Sequence, residues 1–281
     1  MNKQIVFLTF ANSPYIQSLK RIEREIEKFP FTKRYFFTEK DLSPQFLKQL
    51  HTAKYRRGYG YWRWKAYLVQ KVLSELNYDD ILIWSDAGNE WNIKGISRFN
   101  EYLELAQHED SGIVCFQQPF LEKDYSKGDL LQYLDVYNNI DITMSLQLWG
   151  GAFIIRKTTT SVSIINQWAD LNINHPDLIT DKKSVKPNLN GFIEHRHDQS
   201  TFSCLVKKYP HKEIFFAEID TLYGKNDFYQ SKLSYPIWGK RNKIRIRSEY
   251  IKNKILLPYR ICLGLYLTFF EKMYFYRKFW W

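Results

Sequence analysis

The stretch that most constrains the fold is Asp79-Asp80-Ile81-Leu82-Ile83-Trp84-Ser85-Asp86-Ala87-Gly88-Asn89. Four successive apolar residues between polar ends predict a strand buried on both faces. Strands of that kind lie in sheets covered by helices on each side. The carboxyl ends of the strands are where such sheets bind ligands. Here that end carries Ser85, Asp86, Ala87 and Gly88, so one segment predicts both an α/β architecture and the position of a site.

The chain around it alternates in the same sense. Residues 5–10 read as a first strand, and Ser13-Pro14 as a helix N-cap with proline at the first helical position. Ile16, Leu19, Ile22, Ile26 and Phe29 mark the inner face of that helix. Residues 33–38 read as a second strand. Ser43-Pro44 opens a helix with Phe46, Leu47 and Leu50 inward, and a loop over 55–65 leads into a helix carrying Leu68, Val72 and Leu76. This βαβαβ order predicts a mostly parallel, Rossmann-type sheet flanked by helices. Further on, strands are expected at 113–117, 150–156 and 213–218, and a helix at 159–171. The polar stretch 174–191 reads as a mobile loop. A second helix, with Asp198 placed as its N-cap, is expected to run to about Tyr209. The division is one catalytic-type domain, 1–238, and a tail, 239–281.

Charge separates these two parts. The formal net charge is +11, and from Lys240 onward eleven Lys/Arg face only Glu249 and Glu271. A near-neutral body with a basic tail argues against nucleic acid as the partner. Three widely spaced cysteines, Cys115, Cys204 and Cys262, predict neither a disulfide framework nor structural zinc and suit a reducing compartment. The chain opens directly on a strand without signal-peptide pattern, and no run reaches a membrane span. A cytoplasmic protein is expected.

A Rossmann-type sheet invites a dinucleotide reading, which the first turn refuses. Thr9-Phe10-Ala11-Asn12-Ser13-Pro14 stands where a glycine-rich phosphate loop would be needed. Asp86 is the stronger feature. A carboxylate at a strand end can hold a divalent cation shared with phosphates, and Gly88 lets backbone approach a ligand; its bland role is to cap the next turn. The loop Arg56-Arg57-Gly58-Tyr59-Gly60-Tyr61-Trp62-Arg63-Trp64-Lys65 places cations, glycines and aromatic rings before a helix N-terminus. Such a loop can offer charge and N–H groups to phosphate, and ring faces to a base or sugar.

Taken together, Gly58 to Lys65, the strand ending in Asp86-Ala87-Gly88, the Gly150-Gly151 strand and His195-Arg196-His197-Asp198-Gln199-Ser200 resemble bacterial GT-A-fold glycosyltransferases of capsule and lipopolysaccharide O-antigen biosynthesis. The resemblance spans about residues 4–220. It departs from the family in two places: Ala66 replaces a proline, and Asp86 lacks the second carboxylate of a D-x-D pair. What the resemblance implies is transfer of a hexose from a UDP-sugar, with galactose in pyranose or furanose form as the guess, to a glycan or lipid-linked glycan acceptor. Thr9, Ala11 and Asn12 would line the uridine pocket. Arg57, Gly60, Trp62, Lys65, Ser85, Asp86, Ala87, Gly88, Gly150 and Gly151 would bind the rest of the donor. Asp86 would hold Mn²⁺ or Mg²⁺, with His195 or His197 as a further ligand. Asp198 would be the base of an inverting displacement, though capping a helix suits it equally.

The tail is expected to dock on anionic membrane through Arg245, Arg247, Lys252, Lys254, Arg277, Lys278, Trp280 and Trp281. That would make the protein peripheral on the inner face of the cytoplasmic membrane. The alternative is a non-catalytic protein that binds a nucleotide-sugar, lipid or nucleic acid.

Overall fold

The computed structural model describes residues 3–219 and 234–240. Its centre is a six-stranded sheet in the order β2-β1-β3-β6-β5-β7. The strands are β1 (Ile5–Phe10), β2 (Lys33–Phe37), β3 (Ile81–Ser85), β5 (Ile113–Leu121), β6 (Leu146–Arg156) and β7 (Lys212–Ile214). β1 pairs parallel with β2 and β3, and β5 parallel with β7. β6 runs antiparallel to both β3 and β5, so five of the six strands share one direction. This is the expected α/β, mostly parallel sheet flanked by helices. A short antiparallel pair, β4 (Glu90–Trp91) with β8 (Ile237–Trp238), ties residue 238 back to the segment after β3.

β3 is buried along its whole length, and its alternation assigns one set of side chains to each face. Leu82 and Trp84 join a core with α2 (Pro44–Leu50), α4 (Trp64–Glu75), α9 (Thr159–Asn174) and α10 (His197–Val206). Ile81 and Ile83 join the other core with Phe7, Trp91 and the inner faces of α1 (Ile16–Glu25) and α5 (Ile96–His108). Phe7, Phe29, Phe31, Trp91 and Phe99 meet there edge to face. Much of the aromatic content is therefore core.

Several local expectations are corrected. α1 begins at Ile16 after a turn of 3-10 helix, and Ser13 bonds Glu39 instead of capping it. α5 was not expected at all. It continues a 3-10 turn, Ile93–Gly95, capped by Asn92 through the Lys94 amide (3.1 Å), and its buried stripe is Phe99, Tyr102, Leu103 and Ala106. β7 ends at Ile214, where a 3-10 turn takes over. Between β5 and β6 lie three short helices, α6 (Glu122–Tyr125), α7 (Gly128–Tyr133) and α8 (Ile140–Thr143).

The stretch 174–191 is strapped down. Lys127 Nζ donates to the carbonyls of Asp177, Thr180 (3.0 Å) and Lys182 (3.3 Å). Gly128 N–H donates to Asn188 (2.8 Å), and Asp129 accepts from the Val185 and Lys186 amides. Polar composition here supplies partners for a helix start. Burial lowers the Lys127 pKa to about 8.

Cys115 and Cys204 are buried and free. No helix of the described residues is long and apolar enough to cross a membrane. The tail residues from Arg241 on, including all eight expected membrane contacts, lie outside the described residues.

Candidate functional site

Residues 58–62 adopt an unusual backbone. Gly58, Tyr59, Gly60, Tyr61 and Trp62 all have positive φ, between 52° and 92°, and form one left-handed turn, α3 (Gly58–Tyr61) with its cap. For each of the three non-glycine residues this costs about 1–2 kcal/mol, so the surroundings must impose it. They do so from several sides. Trp64 Nε1 donates to Gly58 O (3.0 Å), Gly60 N–H to Tyr55 O (2.9 Å), and the Trp62 ring stacks on His197 (5.4 Å, 23°). A Cβ on Gly58 would fall 2.3 Å from the Trp62 ring.

Arg63 locks the turn to the body. Its buried guanidinium donates to Asn172 O (2.7 Å), Ile173 O (2.9 Å) and Gln49 O (3.2 Å). These carbonyls belong to the last turns of α9 and α2, where helices carry partial negative charge and unsatisfied acceptors. Arg63 therefore caps two helices, a structural role.

The reversal of the chain at 58–62 delivers Lys65 into the sheet edge. Its side chain is 3% exposed, and its ammonium makes three contacts: Asp198 Oδ2 (2.8 Å), Asp86 Oδ1 (3.1 Å) and Gly150 O (2.8 Å). The contact to Gly150 O is a hydrogen bond and the two carboxylate contacts are ion pairs. Desolvation opposes the charge on Lys65, but the two carboxylates outweigh it and hold its pKa above the ordinary lysine value.

Asp198 lies within the first turn of α10, not at its cap; Arg196 occupies that position and no side chain caps the helix. Asp198 points at Lys65 instead. Burial raises its carboxyl pKa to about 6 against the pull of Lys65, and the Asp86 charge adds to the rise. Two carboxylates around one ammonium leave the cluster one negative charge in excess.

Asp86 is different from its partner, with 40% of its side chain exposed. Its Oδ1 takes Lys65 and Trp84 Nε1 (3.0 Å), and its amide donates to Gly151 O (2.8 Å). Its second oxygen has no protein hydrogen-bond donor among the described residues. That fits a divalent cation completed by phosphate oxygens and water, since such ions need only one or two protein carboxylates beside a phosphate ligand. Among the described residues no group of three or more His, Cys, Asp or Glu side chains converges on a common point. His195 is buried against the start of α7, with Nδ1 accepting from Lys127 N–H (3.4 Å), and burial with the nearby Lys127 charge keeps its imidazole neutral.

The other expected donor residues divide by face. Ser85 is fully buried, accepting from Asn89 Nδ2 and Trp91 Nε1 (both 3.1 Å), so it braces the turn. Thr9, Ala11 and Ala87 are buried, and Ala11 packs with Leu19 and Ala87 on the α1 side. Asn12 and Gly88 are partly exposed. Gly150 is pressed against the α10 backbone at Gln199, and Gly151 carries the Trp149 ring 2.2 Å from where a Cβ would stand. Both glycines serve through their carbonyls, which hold Lys65 and the Asp86 turn. Arg57 lies at the surface, paired with Asp181 (3.0 Å).

Arg21 was not expected at the site. Its guanidinium donates to Ala87 O (2.8 Å) and Asn89 O (2.7 Å), and Glu25 holds it while also accepting Trp91 N–H (2.9 Å). The i,i+4 spacing of Arg21 and Glu25 is visible in the sequence; the turn they grip is not. Asp181 and Gln199, whose side chain accepts from Gly150 N–H (3.2 Å), were likewise missed.

No protein-family model matches the chain, and no curated protein matches it. Among solved structures, it is similar to a glycosyltransferase involved in glycosylation of the major capsid of PBCV-1, at 9% identity and a TM-score of 0.46, covering 84% of this chain and 91% of that one. It is similar also to mouse xyloside xylosyltransferase 1, at 10% identity and 0.46, covering 87% and 100%. The galactosyltransferase LgtC, solved with donor and acceptor sugar analogs, gives 10% identity and 0.42, covering 84% and 87%. Values this low describe a shared chain path and carry nothing about chemistry.

Proposed function

We propose that this chain is a glycosyltransferase that moves a hexose from a UDP-sugar to a glycan or lipid-linked glycan acceptor in surface-polysaccharide synthesis. The observation that carries the reading is the Asp86–Lys65–Asp198 cluster at the carboxyl edge of β3, held by a strained, aromatic turn. The cluster sets two carboxylates in different surroundings, one open and one buried, which suits them to different tasks.

Asp86, braced by Lys65, Trp84 and the Gly151 carbonyl, is the residue that would hold a divalent cation. Such a cation, when bound, neutralises the leaving diphosphate. In the reaction the anomeric C–O bond to the diphosphate breaks, and a new bond forms to an acceptor hydroxyl. Asp198, with a pKa near the operating pH, takes the hydroxyl proton in the inverting form of the mechanism. Gly88, partly exposed beside Asp86, lets the sugar approach the backbone there. The basic, aromatic tail would keep the enzyme at the inner face of the membrane, near lipid-linked acceptors.

The test is UDP release with and without acceptor, preceded by a thermal-shift screen of nucleotide-sugars with and without Mn²⁺, since a ligand raises stability only where it binds. Transfer that persists undiminished in Asp86→Ala would remove the site assignment.

A further inference from the structure

The donor proposed above carries a diphosphate, and the cluster that faces it has a surplus of negative charge. Lys65 cannot supply the missing cation, because its ammonium is buried, ion-paired with Asp198 and Asp86 and bonded to Gly150 O. Arg63 is buried, with Nε and Nη2 on helix carbonyls. Of the expected phosphate-binding cations, Arg57 is left, and it is already engaged by a carboxylate.

That carboxylate, Asp181, is surrounded in a way a surface ion pair does not require. Arg57 Nη1 reaches both its oxygens (3.0 and 3.2 Å), and Tyr61 O–H donates to Oδ2 (2.8 Å). His197 Nε2 stands 3.6 Å from Oδ1. Tyr61 belongs to the left-handed turn that delivers Lys65, Arg57 directly precedes that turn, and His197 directly precedes Asp198. A guanidinium and a hydroxyl converging on one anion make a ready phosphate cradle. Asp181 reaches it from the strap fixed by Lys127, Gly128 and Asp129.

The imidazole gives a second, independent sign. His197 is 3% exposed, and its Nδ1 lies 2.7 Å from Ile179 O, which makes Nδ1 the protonated nitrogen. Burial disfavours a second proton. Nε2 is then a buried acceptor, one without a hydrogen-bond partner, and the neighbouring carboxylate has no proton to offer it. A ligand that presents a hydroxyl beside its phosphate satisfies it; Asp181 does not.

We infer that Arg57, Tyr61 and His197 form a phosphate subsite for a hydroxyl-bearing diphosphate ester, closed in the free protein by Asp181 acting as an internal competitor. The inference rests on the glycosyltransferase reading for the identity of the ligand, but its binding test does not. Displacement costs little, because the Arg57 and Asp181 side chains are each about half exposed and such pairs are weak.

The experiment is calorimetric titration of the full chain with inorganic pyrophosphate and with UDP, with Mn²⁺ present throughout. The expected result for Asp181→Asn is tighter binding of both, by up to about fivefold, the equivalent of about 1 kcal/mol. Asp181→Ala should shift in the same direction. Arg57→Gln should weaken both by about tenfold, as for loss of one charge-assisted contact, and Asp181→Asn added to it should restore nothing. Weaker or unchanged binding in both Asp181 variants would overturn the inference and make Asp181 a support for Arg57. Tighter binding with no sugar transfer under any condition would leave the subsite standing and remove the enzyme reading. Transfer by a protein whose affinities ignore Asp181 would do the opposite.

Discussion

The ammonium of Lys65 lies 2.8 Å from the Asp198 carboxylate, and neither group has appreciable access to water. Asp86 completes the cluster from the open side at 3.1 Å. Removing one partner from a buried ion pair leaves the other charge uncompensated, which costs about 3–5 kcal/mol. Lys65→Met is therefore expected to lower stability by about that amount in urea titration. Donor affinity should fall with it, because Asp86 loses one of the two groups that fix its Oδ1.

Asp198 makes the opposite prediction for stability. Its pKa in the folded chain, about 6, lies above the ordinary 3.8. A carboxyl raised in this way contributes stability in full below about pH 4, and that contribution is lost as pH rises through about 6. Asp198→Asn, which keeps the shape without the charge, should melt higher than the parent at pH 7.5, with the difference vanishing toward pH 4. As base, the same group requires transfer to rise through about pH 6. The variant should lose that limb together with most of its turnover. A variant that is less stable at pH 7.5 would show the carboxylate charge to be structural.

The left-handed turn predicts where small changes are large. Gly58→Ala sets a methyl group 2.3 Å from the Trp62 ring at a φ of +57°. Trp62 would have to leave its stack on His197, so the loss should exceed the roughly 1 kcal/mol of the backbone alone. Differential scanning calorimetry should register it as a clear fall in Tm.

How much of this was written legibly in the chain follows from the range of each interaction. The apolar run 81–84 and the alternation around it specify a helix-covered parallel sheet, because burial on both faces leaves a periodicity. The polar strand end marks Asp86 for the same local reason. Lys65 was legible as one cation of the glycine- and aromatic-rich loop, but its burial was not, since the partner that buries it, Asp198, is 133 positions away. Asp198 itself reads as a helix cap from its neighbours alone; the actual start of α10 uses His197 at positive φ and turns the carboxylate inward. Arg21 and Asp181 act on backbone or side chains far along the chain, and a pattern search along the sequence sees neither. Helix α5, by contrast, left a local trace in its apolar stripe and in Asn92, which caps the 3-10 turn that runs into it.

Arg63 allows fold and site to be separated. Its guanidinium donates to the last carbonyls of α9 and α2 and to no carboxylate among the described residues. Charge-assisted bonds of this kind contribute about 1.5–3 kcal/mol each, and buried acceptors left empty add to the loss. Arg63→Met should therefore destabilise the chain by about 3 kcal/mol or more. Hydrogen exchange should show protection falling first at residues 47–50 and 170–174. UDP affinity measured on the folded fraction should change little, because Arg63 offers nothing to the ligand. A variant that keeps its stability but no longer binds UDP would place Arg63 in the phosphate site beside Arg57.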